Sequence, residues 1–304
     1  MTKRIISYTL AIVGVLSTLI LVSSIVPGDS AKNNTDSTFV VSRQIYIPDA
    51  VYLFGERVPL EFYDVYESLE RELLVNTFYQ SQTTQILKYK HRYFPLIDSV
   101  LKANGIPEDF RYLAVAESNL RVNISPKGAA GFWQIIESTA KQYGLKVNSE
   151  VDQRYDLEKA TEVACKYFKN AYCRFGNWTL AAASYNLGIN GLAQQTDFQN
   201  ITSFYELYTN SETARYVFRI LAFKLILENP EQYGYIDIKP YKSVKQKIVT
   251  VDTSISNLAK FAKSQGSNYK MLKTLNPWLR DKKLTNKDSC QYKIILVEDK
   301  ERLR

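Results

Sequence analysis

The chain has 304 residues, of which 45% are hydrophobic and 23% charged, with a net charge of +8. That length suits about two domains, and that balance excludes a disordered or fibrous chain. One histidine, His91, and three cysteines, Cys165, Cys173 and Cys290, exclude a disulfide framework and any regular metal-ligand spacing. Ser-His-Asp or Cys-His chemistry would rest on His91 alone, which stands in a basic, helix-like stretch and reads as a surface residue. Cys165 and Cys173 are eight positions apart on a predicted helix, about 12 Å along its axis and too far to bridge.

In chain order, Lys3 and Arg4 precede an uncharged run of 22 residues, Ile5 to Val26, broken by Pro27, Gly28 and Asp29. As a helix the run would span about 33 Å, enough for a hydrocarbon core of about 30 Å. Residues 1–27 therefore read as an uncleaved membrane anchor, or as a signal peptide cut after Ser24. Either way the positive end stays in the cytoplasm and the remainder lies outside it, which disfavours nucleic acid as a partner. Residues 28–45 are polar and read as a linker. Residues 46–80 are aromatic and mixed, an ordered lead-in with a helix from Tyr63 to Tyr79.

Helical signals dominate from there to Asn229. Pro95 and Pro107 each read as the first-turn proline of a helix. From Asp156 to Phe175 apolar residues recur with period 3.6, with Gly176 as the stop signal. Asn177 can cap the next, alanine-rich helix, and Thr213 to Asn229 forms another, ended by Pro230. Beyond Pro240 the pattern changes. Ile248–Val251 and Tyr292–Val297 read as strands, with helices near Ser254–Ser264 and Tyr269–Leu275 between them. The stretch from Ile238 to Arg304 holds 16 Lys and Arg against 6 Asp and Glu. This basic tail suits an anionic surface as partner, or simply a well-solvated small domain.

One residue is out of place. In the helix after Pro107, Glu117 lies seven positions from Phe110 and three to four from Leu113 and Ala114. That spacing sets it on the apolar face. A carboxyl there loses hydration, so its pKa should rise, as a general acid working near neutral pH requires. A buried glutamate paired with an arginine would show the same pattern. The neighbourhood adds Gly128 and Gly131, which allow a tight turn and close backbone approach. Trp133 could pack on a sugar face, and Gln134 could hydrogen-bond an amide or hydroxyl. Further on come Ser184-Tyr185-Asn186-Leu187-Gly188 and Glu212-Thr213-Ala214-Arg215-Tyr216-Val217.

Taken together and in this order, Glu117-Ser118, Gly131 to Gln134, Tyr185 to Gly188, and Glu212-Thr213 with Tyr216-Val217 resemble family 1 lytic transglycosylases of the soluble-transglycosylase type. The likeness runs from about Tyr46 to Asn229. Leu120, Ser184 and Leu187 depart from the family pattern and bear on substrate fit. The strand-helix-helix-strand tail resembles a LysM module, with Val251-Asp252-Thr253 where that module has Gly-Asp-Thr. The resemblance implies a mainly α protein, with a lysozyme-like helical catalytic domain over 81–235 and a small βααβ glycan-binding domain over 240–304. It also implies a periplasmic place in the cell envelope, peptidoglycan glycan strands as partner, and neither metal nor cofactor.

The same resemblance implies a single-carboxylate reaction. Glu117 would protonate the bridging oxygen between N-acetylmuramic acid and N-acetylglucosamine, then take the proton of the C6 hydroxyl as it closes to a 1,6-anhydro end. Tyr185 and Tyr216 would line the cleft and bond the acid. Ser118, Gln134 and Trp133 would position substrate or acid, and Asn186 would brace the turn. Two other readings remain open. One is a goose-lysozyme-type hydrolase using Asp152 or Asp156 to activate water, although both suit a helix cap. The other is a wall-binding scaffold without activity.

Overall fold

The structure is a computed structural model and describes residues 44–302. The predicted membrane segment and most of the polar linker lie outside the described residues. Among the described residues, no helix is long and apolar enough to cross a membrane.

The lead-in opens with a tight hairpin, β1 (Val51–Leu53) paired antiparallel with β2 (Glu56–Val58). Phe54 and Gly55 both have positive φ, the conformation that matches a two-residue turn to the twist of its strands. The hairpin is tied into the helices rather than standing apart. Phe54 stacks on Phe110 with ring centroids 4.2 Å apart, and its N–H donates to Asp109 at 2.7 Å. The Glu56 carboxylate accepts from the backbone N–H groups of Trp178 and Thr179 at 2.6 and 3.0 Å. A carboxylate at a helix N-terminus satisfies donors that have no partner inside the helix and meets the positive end of its dipole.

Eight helices follow: α1 (Tyr63–Phe78), α2 (Gln80–Ala103), α3 (Arg111–Ser118), α4 (Glu137–Gln142), α5 (Leu157–Phe175), α6 (Trp178–Leu187), α7 (Ile189–Gln199) and α8 (Ser211–Glu228). Helix α8 is apolar on most of its circumference, as suits a central element, and packs against α1, α3 and α6. One hydrophobic core runs unbroken from Val51 to Tyr235, so residues 46–80 share the core of the helices that follow. The capping signals act where the residues predict. Asn177 Oδ1 accepts from Leu180 N at 2.8 Å, Asp156 Oδ1 from Lys159 N at 3.2 Å, and Gly176 ends α5 with φ of 76°.

Pro95 corrects the expected start of a helix, because it lies inside α2, a continuous helix of 24 residues. A proline here removes the hydrogen bond to the carbonyl of His91, four residues earlier. Both His91 and Pro95 are exposed, so water can satisfy that carbonyl and the helix continues. Pro107 does introduce helix, through a 3-10 turn, Glu108–Phe110, ahead of α3.

The tail has the expected order: β3 (Lys247–Val251), α9 (Leu258–Ser264), α10 (Tyr269–Leu275) and β4 (Tyr292–Leu296), with β3 and β4 antiparallel. Asn257 and Asn268 cap its two helices at 2.9 and 3.0 Å. Its small core, which includes Leu258, Leu272, Leu279 and Ile294, is completed by Ala130, Val151 and Tyr155 from the helical domain. Backbone bonds cross the junction from Asp152 N to Trp278 O at 2.9 Å and from Arg280 N to Glu150 O at 2.7 Å. The Arg280 guanidinium lies over the Tyr155 ring, 4.4 Å from its centroid. A module of this size buries little apolar surface by itself, so borrowing three side chains adds stability and fixes its orientation.

Candidate active site

Helix α3 is short and ends abruptly. Asn119 and Leu120 both have positive φ, 53° and 56°, which turns the chain sharply just after Glu117 and Ser118. Gln134 in the facing loop also has positive φ, at 47°. Three strained non-glycine residues around one carboxylate match the usual concentration of strain at sites.

Glu117 is only partly exposed, and protein surrounds it on most sides. Burial raises its carboxyl to about 7, opposed by a hydrogen bond from Tyr216 and by the positive charge of Arg219, while the charge of Glu212 raises it further. Its place in the last turn of α3, at the negative end of the helix dipole, acts in the same direction as burial. The Tyr216 hydroxyl donates to Glu117 Oε1. Tyr216 is 2% exposed, and burial together with the neighbouring carboxylate raises its pKa well above normal. It therefore remains a donor across the physiological range.

Tyr185 lies beside this pair. Burial and then the charge of Glu117 push its pKa well above normal. Its hydroxyl donates to the Trp133 carbonyl at 2.7 Å, so it anchors the facing loop rather than bonding the acid. Tyr167, edge-on to Tyr185 at 5.1 Å, donates to the Ser184 carbonyl at 2.6 Å. Asn186 bridges α6 to the start of α8: its Nδ2 donates to Glu212 at 3.2 Å, and its Oδ1 accepts from the Thr213 hydroxyl at 2.8 Å.

The loop opposite Glu117 is set by glycine and arginine. A Cβ on Gly131, whose φ is +80°, would stand 2.0 Å from the Arg154 carbonyl oxygen. Arg154 in turn donates to the Gly128 carbonyl at 2.7 Å and the Ile135 carbonyl at 3.3 Å, and forms a two-point pair with Asp152. The Gln134 amide is spent within the loop: its Nε2 donates to the Gly131 carbonyl at 2.7 Å and the Asn123 carbonyl at 3.2 Å.

Two expected substrate contacts are corrected. Trp133 is fully buried, its Nε1 donates to Thr161 Oγ1 at 2.8 Å, and its ring meets Phe168 edge-on. It offers no face to a sugar, because packing against α5 covers it. Ser118 is 2% exposed and donates to the Ala114 carbonyl one turn earlier at 3.0 Å. Its hydroxyl steadies the end of α3 and is covered by protein. The carboxylates weighed for water activation are held in structural pairs, Asp152 by Arg154 and Asp156 by the N-terminus of α5.

A buried cluster escaped the sequence reading. Glu72 on α1 is 1% exposed and faces Arg215 and Arg219 of α8. The available signal was the one that singled out Glu117: a carboxylate on the apolar face of its helix, here among Val65, Leu69 and Leu73.

Fold and site together define a helical domain with a partly buried, raised glutamate, joined to a βααβ module. Residues 96–207 match the Transglycosylase SLT domain, and residues 247–300 match the Soluble lytic transglycosylase C-terminal LysM-like domain. The two matches lie in that order along the chain. It is 29% identical over 219 residues to membrane-bound lytic murein transglycosylase D of Escherichia coli, in strain K12 and in strain O6:H1. That alignment covers 70% of this chain and 48% of the relative, so the chain spans about half the length of the curated proteins it matches. Among solved structures it is similar to the lytic transglycosylase Slt of Pseudomonas aeruginosa, an inactive mutant, with 21% identity and a TM-score of 0.39 over 50% of this chain and 26% of that one. It is also similar to the 70 kDa soluble lytic transglycosylase of Escherichia coli, with 21% identity and a TM-score of 0.41 over 54% of this chain and 30% of that one.

Proposed function

We propose that this chain cuts peptidoglycan glycan strands at the β-1,4 bond between N-acetylmuramic acid and N-acetylglucosamine without consuming water. The observation that carries the reading is Glu117, a partly exposed carboxyl raised to about 7 and held by Tyr216. Near neutral pH a large share of it is protonated, as a general acid must be. Glu117 gives its proton to the bridging oxygen as the C1–O bond breaks, and the substrate's own N-acetyl group stabilises the electron-poor C1. The resulting carboxylate takes the proton of the C6 hydroxyl while O6 bonds to C1. The products are a free N-acetylglucosamine hydroxyl and a 1,6-anhydro-muramic end, and Glu117 is protonated again. The structural engagement of Asp152 and Asp156 supports this one-carboxylate course over hydrolysis, which needs a second group to activate water.

Digestion of purified peptidoglycan followed by mass analysis of the fragments tests the reading. Anhydro ends are expected, lighter than hydrolytic ends by one water, about 18 Da, because the cut consumes none. Reducing ends would replace it with the hydrolase.

The tail module is proposed to hold glycan in the shallow groove between β3 and α9, where Val249, Asp252, Ser254 and Lys260 are among the lining residues. In the full chain, Lys260→Glu is expected to weaken retention on insoluble peptidoglycan while leaving cleavage of short soluble strands unchanged. Undiminished retention would reduce the module to a packing domain. The apolar run Ile5–Val26 is proposed as the tether that keeps the enzyme at the membrane on the periplasmic side. Release of the full chain from membranes by a high-salt wash would argue against it.

A further inference from the structure

Arg215 and Arg219 lie one turn apart on α8, on either side of Tyr216 in sequence, and share a single buried carboxylate. Arg215 Nε donates to Glu72 Oε1 at 2.6 Å. Arg219 Nε stands 3.6 Å from Glu72 Oε2, beyond hydrogen-bond range, and that oxygen has no hydrogen-bond partner. Two guanidinium groups against one carboxylate leave the cluster with one uncompensated positive charge. Both contacts to Glu72 use the inner Nε atom. Among the described residues, the terminal nitrogens of the two arginines donate to no protein acceptor.

Exposure sharpens the asymmetry. The Glu72 side chain is 1% exposed, whereas the two arginine side chains are each 30% exposed. The carboxylate thus acts as a buried template that engages the two arginines through their inner nitrogens and leaves both side chains partly open to solvent. The cluster borders the acid, since Tyr216, which bonds Glu117 directly, stands between the two arginines on α8 and one turn from Arg219. Glu212, one turn earlier on α8, is engaged by Asn186.

We propose that Arg215 and Arg219 form an anion subsite beside Glu117 that binds a free carboxylate on the peptide side chain of the strand being cut. Planar guanidinium forks match a carboxylate in geometry and give charge-assisted hydrogen bonds in a partly desolvated place. The inference rests on the glycan reading above and adds to it: the enzyme reads the peptide as well as the sugars. It also assigns a role to α1, which lies outside the matched transglycosylase residues and supplies the orienting carboxylate.

The test uses the full chain and two substrates, native peptidoglycan and the same preparation with its carboxyls converted to methylamides. Rates are measured well below pH 7, where Glu117 is protonated in every variant, so that the charge effect of Arg219 on Glu117 does not enter. On native substrate Arg219→Gln is expected to raise KM about ten-fold with kcat nearly unchanged, the size of one charge-assisted contact. Arg219→Lys should recover part of that loss. On the amidated substrate, wild type and Arg219→Gln should coincide. An equal loss on both substrates, or a loss confined to kcat, would overturn the carboxylate subsite. Wild type that releases nothing from either preparation would instead overturn the glycan reading itself.

Discussion

Glu117→Gln is expected to remove strand cleavage by about a thousand-fold or more, the scale of a general acid that also returns as the base, while the protein becomes more stable at alkaline pH. The second half follows from the raised carboxyl. Glu117 is raised from 4.5 to about 7 in the folded chain. Such a group favours the folded state fully below pH 4.5 and loses that contribution as pH rises through about 7. Above pH 8 the ionised Glu117 therefore costs on the order of 3 kcal/mol relative to a neutral isostere. Thermal unfolding of the two proteins should coincide near pH 4 and separate progressively to pH 8, with the variant melting roughly 5–10 °C higher. Equal melting at both pH values would mean that Glu117 is not the strained acid described above, and full activity in the variant would discard the mechanism.

Tyr216→Phe provides the companion measurement. The tyrosine hydroxyl favours the ionised form of Glu117, so removing it should raise the carboxyl further. The alkaline limb of the rate profile should move to higher pH, and a move to lower pH would contradict the hydrogen bond from Tyr216.

The other large effect is expected at Gly131 and is steric in origin. Gly131→Ala brings two penalties together. A left-handed φ costs a residue with a Cβ about 1–2 kcal/mol. The new methyl would also stand 2.0 Å from the Arg154 carbonyl oxygen and 2.9 Å from its carbon, both backbone atoms of a turn clamped by the Arg154–Asp152 pair. Neither side can yield without disturbing the other, so a loss of about 4 kcal/mol or more is expected. Gly128→Ala is the control. Its φ is +78°, but nothing lies within 4 Å of the added atom, so only the same backbone penalty of about 1–2 kcal/mol applies. Denaturant unfolding of both variants separates clash from conformation, and similar losses would show that the close approach to Arg154 is not tight. The Gly131 variant should also lose activity beyond its loss of stability. The displaced loop carries the Trp133 carbonyl that anchors Tyr185 and Ala130, which packs into the core of the tail.

Much of this protein was legible one element at a time. Period-3.6 spacing and Gly176 delimit α5, asparagines and Asp156 mark helix starts, and β-branched runs bracket two short helices in the tail. These are local signals, since caps, turns and amphipathic faces depend on residues within a few positions of one another. Glu117 was legible in the same way, from its place among Phe110, Leu113 and Ala114. The environment that makes it an acid was not. Trp133 and Ser118 look available for substrate in the chain, but α5 covers the first and the end of α3 engages the second. Pro95 looks like a helix start, yet the His91 carbonyl it leaves unbonded lies on an exposed stretch and α2 runs on. Glu72 meets its arginines across more than 140 positions, and Val151 and Tyr155 complete a core that belongs mostly to the tail. Which face of an element is covered, and which charge finds a partner, depends on what packs against it. Only the tertiary structure could therefore decide which of the residues around Glu117 face a ligand and which hold the fold.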